Sequence, residues 1–353
     1  MKNVLLFLGV LKLSAMMLAA ESLQRDMDDN GVVWIYENGA ESIIRGIDRA
    51  STTCDVRRLS FPVELGGKPV FGIAAESFRR FENLEEVVIP PGIRQIDRCA
   101  FAGCSNLVHV KMMSGVRVVR AIREGAFANC NKLSNLEFPM GLETISNDAF
   151  FGCDGLKEIT LPKSCFLANE GFNYCRGLRR IDVCNAFEFY PYSGSFVGCE
   201  ALSEILVSKE NEKFEVVDGI LYSKDGKFIV RCPPRLTSEE VKIRDGVLGI
   251  CPYAFDCCML KAVSLPGSLI GVGYGAFHRC TNLALMTIPA DVKLIERMAF
   301  DGCCRLESVK FLGDTSQITI EDNAFPPEIK FSFARPACKS KESVSDKARL
   351  LPR

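Results

Sequence analysis

The sequence contains few of the residues that catalytic and metal sites require. It has only two histidines, His109 and His278, and no pair of cysteines at the C-x-x-C spacing of a zinc site. The nucleophile motif G-x-S-x-G and the phosphate-loop motif G-x-x-x-x-G-K-S/T are also absent. We therefore predict that the protein is not an enzyme and that it binds no metal and no cofactor.

An excess of charge of one sign is also missing. Lysine and arginine together number 43 and aspartate and glutamate 44, whereas a nucleic-acid-binding surface needs a basic stripe. Because hydrophobic residues make up 48% of the chain, wholesale disorder is excluded. These proportions indicate a folded protein with no nucleic-acid partner.

Long apolar runs are missing everywhere except at the start of the chain. Val4–Ala20 is largely apolar, follows a short positive start at Lys2 and ends in small residues. This layout predicts a signal peptide with cleavage after Ala20, and therefore a secreted or cell-surface protein. The alternative is an uncleaved membrane anchor, but the run contains Lys12 and is shorter than the ~20 apolar residues of a spanning helix. We expect no membrane span in the mature chain.

The chain does contain a nine-residue motif that recurs, as in Cys99–Leu107, Gly125–Leu133 and Asp148–Leu156. In each copy one phenylalanine directly follows a small residue and is here called the anchor, and consecutive anchors lie 22 to 26 residues apart except across one gap of 59. The anchors are Phe78, Phe101, Phe127, Phe150, Phe172, Phe196, Phe255, Phe277, Phe300 and Phe325. An aliphatic residue stands five positions before nearly every anchor, a small residue directly precedes it, and a cysteine usually follows at +3.

Self-similarity at this period predicts a solenoid, in which each copy forms one coil and buries its apolar side against its neighbours. The segment after each anchor alternates apolar and polar residues, so we expect a strand that pairs in parallel with the next coil at about 4.8 Å. The aliphatic residue before the anchor marks a second, shorter extended segment. The corner at the anchor is expected to form a helical or 3₁₀ turn, with phenylalanine rings stacked inside the coils.

The pattern A-F-x-x-C-x-x-L-x-x-V-x-L-P, most complete at Ala149–Pro162, resembles the BspA-type leucine-rich-repeat family of bacterial and protozoan surface proteins. Asn30–Ile47 with Phe61–Ile73 is similar to the family's lead-in, and Phe214–Pro234 is similar to a hairpin insert of its members. The resemblance implies a right-handed, β-rich leucine-rich-repeat solenoid of about ten coils of ~23 residues, with short strands and helical or 3₁₀ turns. It also implies attachment to host proteins and other cells. Phe81 departs from the pattern, since it stands where the first copy should have cysteine.

Turn signals indicate where the repeats are interrupted. Asn38-Gly39 and Asp225-Gly226 each separate two stretches rich in β-forming residues, which predicts an N-terminal hairpin cap and a mid-chain hairpin insert. We therefore divide the chain into a signal peptide (1–20), a cap and lead-in (21–72), repeats (73–207), the hairpin insert (208–240), further repeats (241–333) and a disordered tail (334–353).

The 17 cysteines fall into two groups. Eight occupy the +3 column, where a residue that recurs once per coil is expected to be a buried thiol: Cys104, Cys130, Cys153, Cys175, Cys199, Cys258, Cys280 and Cys303. The others are better disulfide candidates in an exported protein: Cys54, Cys99, Cys165, Cys184, Cys232, Cys251, Cys257, Cys304 and Cys338.

The candidate binding residues are the outward positions of the predicted strands, which vary freely while the inward columns stay uniform. We assign ligand contacts to His109, Lys111, Asn135, Glu137, Glu158, Arg180 and Asp182. An extended face of varied chemistry is what solenoids use to recognise protein or glycan partners, here possible extracellular-matrix or cell-surface ligands. Three alternatives stay open: a merely solvated surface, an extracellular hydrolase with a carboxylate-only site, and a structural surface-layer component.

Overall fold

The structure is a computed structural model, and it describes residues 23–52, 56–162, 165–168, 170–183 and 196–333. The predicted signal peptide (1–20) and tail (334–353) lie outside these residues. Within the described part nearly all regular structure is short β-strand, and the one helix is a 3₁₀ turn at Thr315–Gln317. In that same part no helix has the length and apolar character needed to cross a membrane. The chain divides into two compact units, the first ending at Gly155 and the second beginning at Leu156.

The first unit consists of short strands in chain order. They are β1 (Leu23–Met27), β2 (Val33–Asn38), β3 (Ser42–Ile47), β4 (Arg58–Ser60), β5 (Glu64–Leu65), β6 (Lys68–Ile73), β7 (Glu86–Ile89), β8 (Gln95–Ile96), β9 (His109–Met112), β10 (Ala121–Ile122), β11 (Asn135–Glu137) and β12 (Thr144–Ile145). Strands β4, β7, β9 and β11 pair in parallel and form the long-strand sheet. Strands β6, β8, β10 and β12 pair in parallel in a separate short-strand sheet.

The residues before the first repeat pair differently. Strands β1, β2 and β3 are antiparallel to one another, and β3 then runs parallel to β6 at the start of the short-strand sheet. Trp34 on β2 is fully buried, and its ring lies 5.2 Å from Phe61 and 6.5 Å from the first anchor, Phe78. These aromatic contacts cover the beginning of the repeat core.

The second unit repeats the two sheets and adds an antiparallel segment. Its strands are β13 (Glu158–Thr160), β14 (Phe166–Leu167), β15 (Arg180–Val183), β16 (Glu204–Val207), β17 (Phe214–Val217), β18 (Ile220–Ser223), β19 (Phe228–Arg231), β20 (Glu240–Lys242), β21 (Gly249–Ile250), β22 (Ala262–Ser264), β23 (Gly271–Val272), β24 (Leu285–Ile288), β25 (Leu294–Ile295), β26 (Ser308–Phe311), β27 (Thr319–Ile320) and β28 (Lys330–Phe333).

In this unit the long strands pair in parallel in the orders β13–β15–β16, β20–β22 and β24–β26–β28. The short strands β21, β23, β25 and β27 form a parallel sheet that β19 joins at one edge. Strands β17, β18 and β19 are antiparallel. Both units thus have the architecture of a β-rich solenoid, and the prediction of that fold class is confirmed.

The anchors form the core, as predicted. Their rings stack nearly parallel from coil to coil, at 5.1 Å and 4° between Phe101 and Phe127 and at 5.0 Å and 5° between Phe277 and Phe300. The backbone also links successive corners, because the amide of one anchor donates to the carbonyl of the small residue that precedes the anchor of the next coil. Phe101 donates to Ala126 over 2.7 Å, and Ala126 is fully buried.

The corners are series of tight turns that do not form a continuous helix. Each contains backbone hydrogen bonds between residues three apart in the sequence, such as Ala102 N–H to Cys99 O and Cys104 N–H to Phe101 O. The residues two before and two after the anchor, such as Cys99 and Gly103, are left-handed, with φ of 54° and 75°. A left-handed residue on each side of the anchor breaks the helical path and lets the chain reverse from one strand to the other.

The column cysteines are buried, which confirms the prediction for them, and most of their thiols have a shared partner. In at least six of the eight the Sγ atom donates to the backbone carbonyl of the preceding anchor, as Cys104 does to Phe78 (3.1 Å) and Cys303 does to Phe277 (3.0 Å). The same contact recurs at Cys130, Cys153, Cys199 and Cys280. Cysteine suits this position because it is a small apolar residue that also carries a weak donor.

The disulfide prediction is wrong for most of the described candidates. Cys99, Cys232, Cys251, Cys257 and Cys304 carry free thiols. Cys54, Cys184 and Cys338 fall outside the described residues, and Cys165 is buried.

Candidate binding face

The predicted ligand-contacting residues lie on the outward side of the long strands, here called the long-strand face. Alternation along each strand places them there: on β9 the apolar Val110 and Met112 are buried while His109 and Lys111 are exposed. Because neighbouring strands are parallel and in register, equivalent outward side chains of successive coils line up in rows across the sheet.

In the first unit two rows cross the long-strand sheet. The first row brings Glu86, His109 and Asn135 side by side, and the Asn135 amide lies 2.8 Å from Nδ1 of His109. The second row places Lys111 of β9 directly beside Glu137 of β11, both exposed. Four of the seven predicted residues, His109, Lys111, Asn135 and Glu137, therefore form one continuous patch.

The other three predicted residues lie in the second unit. Glu158, Arg180 and Glu204 are neighbours in one row, and Nε of Arg180 lies 3.6 Å from the Glu204 carboxylate. Asp182 is half-buried in the parallel row. Arg180 thus stands between two glutamates, and Glu204 joins the predicted set as its ion-pair partner.

The polar contacts of this face are weak enough to be exchanged for contacts with a partner. The Arg180–Glu204 pair is about half exposed on both sides, and the Arg58–Glu86 pair (3.3 Å) at the edge of the first patch is also exposed. Exposed ion pairs contribute only about 0–1 kcal/mol, so opening one costs little. The arrangement offers separate donors and acceptors at a fixed spacing, which suits orientation of a ligand.

The long-strand face beyond the insert is less charged. Ala262 and Ser264 on β22 are followed in the next coil by Leu285 and Thr287 on β24, and the Leu285 side chain is 62% exposed. Lys310 on β26 is the next outward charge. Strands β22 and β24 therefore present uncharged outward positions between the exposed charges of Glu240 and Lys242 on β20 and of Lys310 on β26.

Sequence reasoning missed a buried polar cluster that lies at the junction of the insert and the following coil. Asp256 is 1% exposed, accepts hydrogen bonds from the Gly198 amide (2.7 Å), and lies 2.8 Å from Nδ1 of His278. Arg231 is equally buried, with a nitrogen 3.9 Å from the same carboxylate. The sequence carried no signal for this cluster, because its members belong to different segments and recur in no other copy.

The electrostatics of this cluster favour a structural role. Burial alone would raise the pKa of the Asp256 carboxyl, but the His278 hydrogen bond, the Arg231 guanidinium and the Gly198 amide together lower the pKa below its ordinary 3.8. The adjacent Cys257 thiol has its pKa raised to about 12 by burial and by Asp256, so it is not a thiolate at neutral pH. Among the described residues no group of three or more His, Cys, Asp or Glu side chains could hold a metal.

The fold and its columns define a leucine-rich-repeat solenoid. A model of the BspA type Leucine rich repeat region matches residues 71–203 and 235–332 in six copies, and the chain belongs to this family. Comparison with curated proteins gives no match.

Solved structures share the fold. A leucine rich cell surface protein from Faecalibacterium prausnitzii is 21% identical over 89% of this chain and 96% of that chain, with a TM-score of 0.55. The pneumococcal vaccine antigen PcpA is 17% identical over 88% and 94% of the two chains, with a TM-score of 0.53. A leucine-rich repeat protein from Eubacterium ventriosum is 18% identical over 88% and 84%, with a TM-score of 0.52. At these identities the likeness establishes the fold.

Proposed function

We propose that the protein is an exported, non-enzymatic binding or adhesion protein that recognises a protein or glycan partner through its long-strand face. The observation that carries the proposal is the contrast between uniform inward columns and varied outward rows. Inward positions hold the same residue types in coil after coil, whereas the outward row Glu86, His109 and Asn135 changes chemistry at every step. Packing fixes the first pattern, and recognition accounts for the second.

A location outside the cell has separate support. The apolar run Val4–Ala20 has the layout of a signal peptide, and the Faecalibacterium prausnitzii protein of the same fold is described as a cell surface protein. We therefore propose a secreted or surface-attached chain whose partner is an extracellular-matrix component or another cell's surface. The balanced charge disfavours nucleic acid as a partner.

The proposal is tested by screening the mature chain against extracellular-matrix proteins and surface glycans, and then by reversing charge on the face. For the ligand that binds, the combined change Lys111→Glu, Glu137→Lys and Arg180→Glu is expected to weaken binding at least tenfold, or about 1.4 kcal/mol. Each reversal removes a directional contact and introduces repulsion.

The matched control is Arg120→Glu, which gives the same net change in charge at an exposed ion pair away from the long-strand face. It should leave the dissociation constant unchanged. If the triple variant binds normally while changes at Leu285 and Thr287 abolish binding, the site lies on the later strands and our assignment of residues is wrong. Failure to bind any component of the screen would contradict the binding function itself.

A further inference from the structure

An apolar groove lies on the outer side of the short-strand sheet in the second unit, away from the residues assigned above. It crosses the short strands β19, β21, β23 and β25, a distance of about 14 Å at the usual strand spacing. Its volume is about 390 Å³. The long-strand face contributes no residue to it.

Two glycines in register create the groove. Gly249 and Gly271 occupy the same outward position on adjacent strands, where the next strand of the sheet carries Leu294 and β27 carries Thr319. A Cβ atom on Gly271 would meet nothing within 4 Å, so the space above it is open. The floor is therefore backbone, which a ligand can approach closely.

Apolar side chains form the walls. A Cβ on Gly249 would lie 2.9 Å from two ring carbons of Phe228, which places that ring over Gly249 at one end of the groove. Leu294 borders the opposite side, and Leu248 and Ile270 also line the groove. Phe228 is 38% and Ile270 is 46% exposed, so both keep apolar surface in contact with water.

Glu296 is the single charged residue among those that line the groove. One of its carboxylate oxygens accepts the Tyr274 amide over 2.6 Å, which fixes the side chain beside the apolar floor. A negative charge held at the edge of an apolar surface is complementary to a ligand that joins an apolar group to a cation.

We propose that this groove binds a peptide segment of a protein partner that places an aliphatic or aromatic side chain on the glycine floor and a lysine or arginine beside Glu296. The open walls favour a protein over a small molecule as the ligand. Binding sites usually bury roughly 70–90% or more of the surface of a small ligand. A small ligand on a floor this open would stay largely exposed to water. A protein brings its own surface to cover the walls and inserts one anchor residue. The groove would act independently of the long-strand face.

The test selects peptides from a random phage-displayed library on the full chain. Expected binders carry an apolar residue next to lysine or arginine. Their affinity should fall at least tenfold for Gly271→Leu, which fills the open space, and stay unchanged for Gly267→Leu, an exposed glycine whose Cβ also meets nothing within 4 Å. Glu296→Gln, which keeps the acceptor for Tyr274, should weaken binding severalfold and reduce its dependence on salt.

The proposal is overturned if no peptide binds, if Gly271→Leu binds as tightly as the original chain, or if Glu296→Gln has no effect. It is also overturned if hexylamine alone binds the groove as tightly as the selected peptides, because the site would then belong to a small amine. Because the variants leave the long-strand face intact, each of these results is distinct from failure of the proposed adhesion function.

Discussion

At the scale of single residues, most of the described corners have two left-handed positions, two residues before and two after the anchor, with φ between 54° and 75°. Glycine takes this conformation without strain, whereas other residues are disfavoured by about 1–2 kcal/mol. The glycines also make room for neighbours. A Cβ on Gly103 would lie 3.1 Å from Cγ of Arg80, and one on Gly302 would lie 3.1 Å from Cγ of Arg279. A larger residue in one coil therefore lies over a glycine in the next.

Gly302→Ala tests this arrangement. The substitution should lower the free energy of unfolding by about 1–2 kcal/mol, because alanine is strained at φ 71° and its Cβ meets Arg279. Adding Arg279→Ala, which removes Cγ and keeps a non-glycine residue at the left-handed position (φ 57°), should recover only the part due to that side-chain contact. Gly267→Ala, at a glycine with open space and no left-handed φ, is the control and should change stability by less than about 0.5 kcal/mol. Urea unfolding measures all three, and equal losses for Gly302→Ala and the control would contradict the strain argument.

At the scale of elements, the hairpin insert supplies part of a coil. The amide of Cys232 donates to Ala254 O over 2.7 Å, and its carbonyl accepts the Cys258 thiol over 3.5 Å. These are the two backbone contacts that an anchor makes in a regular coil, so Cys232 takes the place of an anchor. Arg231 in turn donates to Phe196 O over 3.0 Å, the carbonyl that a column cysteine would otherwise satisfy.

Because Arg231 is buried, its counter-ion should be essential. Asp256→Asn is expected to destabilise the second unit by about 3–5 kcal/mol, since it leaves the guanidinium as an uncompensated buried charge. The exposed pair of Asp225 and Lys227 provides a control, because Asp225→Asn removes a carboxylate of an ion pair 3.8 Å long at about half exposure. That change should cost less than about 1 kcal/mol in urea unfolding at pH 7.

Acid stability gives an independent measurement of the same carboxylate. Its pKa is lowered in the folded state, so its contribution is fully present above the ordinary 3.8 and is lost as pH falls through the folded-state value. The Asp256→Asn variant should therefore show a flatter loss of stability below about pH 4 than the original chain. Identical acid profiles would show that Asp256 is not held ionised by Arg231 and His278.

At the scale of the whole molecule, the stability of the fold at alkaline pH depends on the summed contributions of the buried column cysteines. Burial raises the pKa of Cys104 and Cys199 from 9.0 to about 12, and raises those of Cys130 and Cys280 well above 9.0. The folded chain thus keeps protons that the unfolded chain releases above pH 9. Their stabilising contribution is complete below that pH and is lost as pH rises toward the folded-state values.

We expect the free energy of unfolding, measured in urea with a reductant present, to fall steeply above pH 9. Each buried thiol adds a slope of up to about 1.4 kcal/mol per pH unit. Cys130→Ala should remove one thiol's share of the slope, although it also lowers stability at neutral pH by leaving a small cavity. Cys304→Ala, at an exposed thiol, should leave the slope unchanged. A flat profile between about pH 8 and 10.5 would contradict this account.

The sequence by itself determined the solenoid, its period and its core. A residue such as Phe127 or Cys130 recurs once per coil, so it meets the same surroundings in every copy, and the repetition reveals its burial without any coordinates. The exposed positions of the long strands followed for the same reason, since strand alternation assigns His109 and Lys111 to one side. A periodic sequence pattern, however, identifies only the features that recur in every coil.

Only the tertiary structure decided what does not repeat. The contact of Arg231 with Asp256 joins the insert to the next coil, and the groove over Gly249 and Gly271 depends on a phenylalanine from the hairpin. Each of these features depends on which segments meet in space. Contacts between segments that are not equivalent copies stabilise the fold without producing a repeating pattern in the sequence.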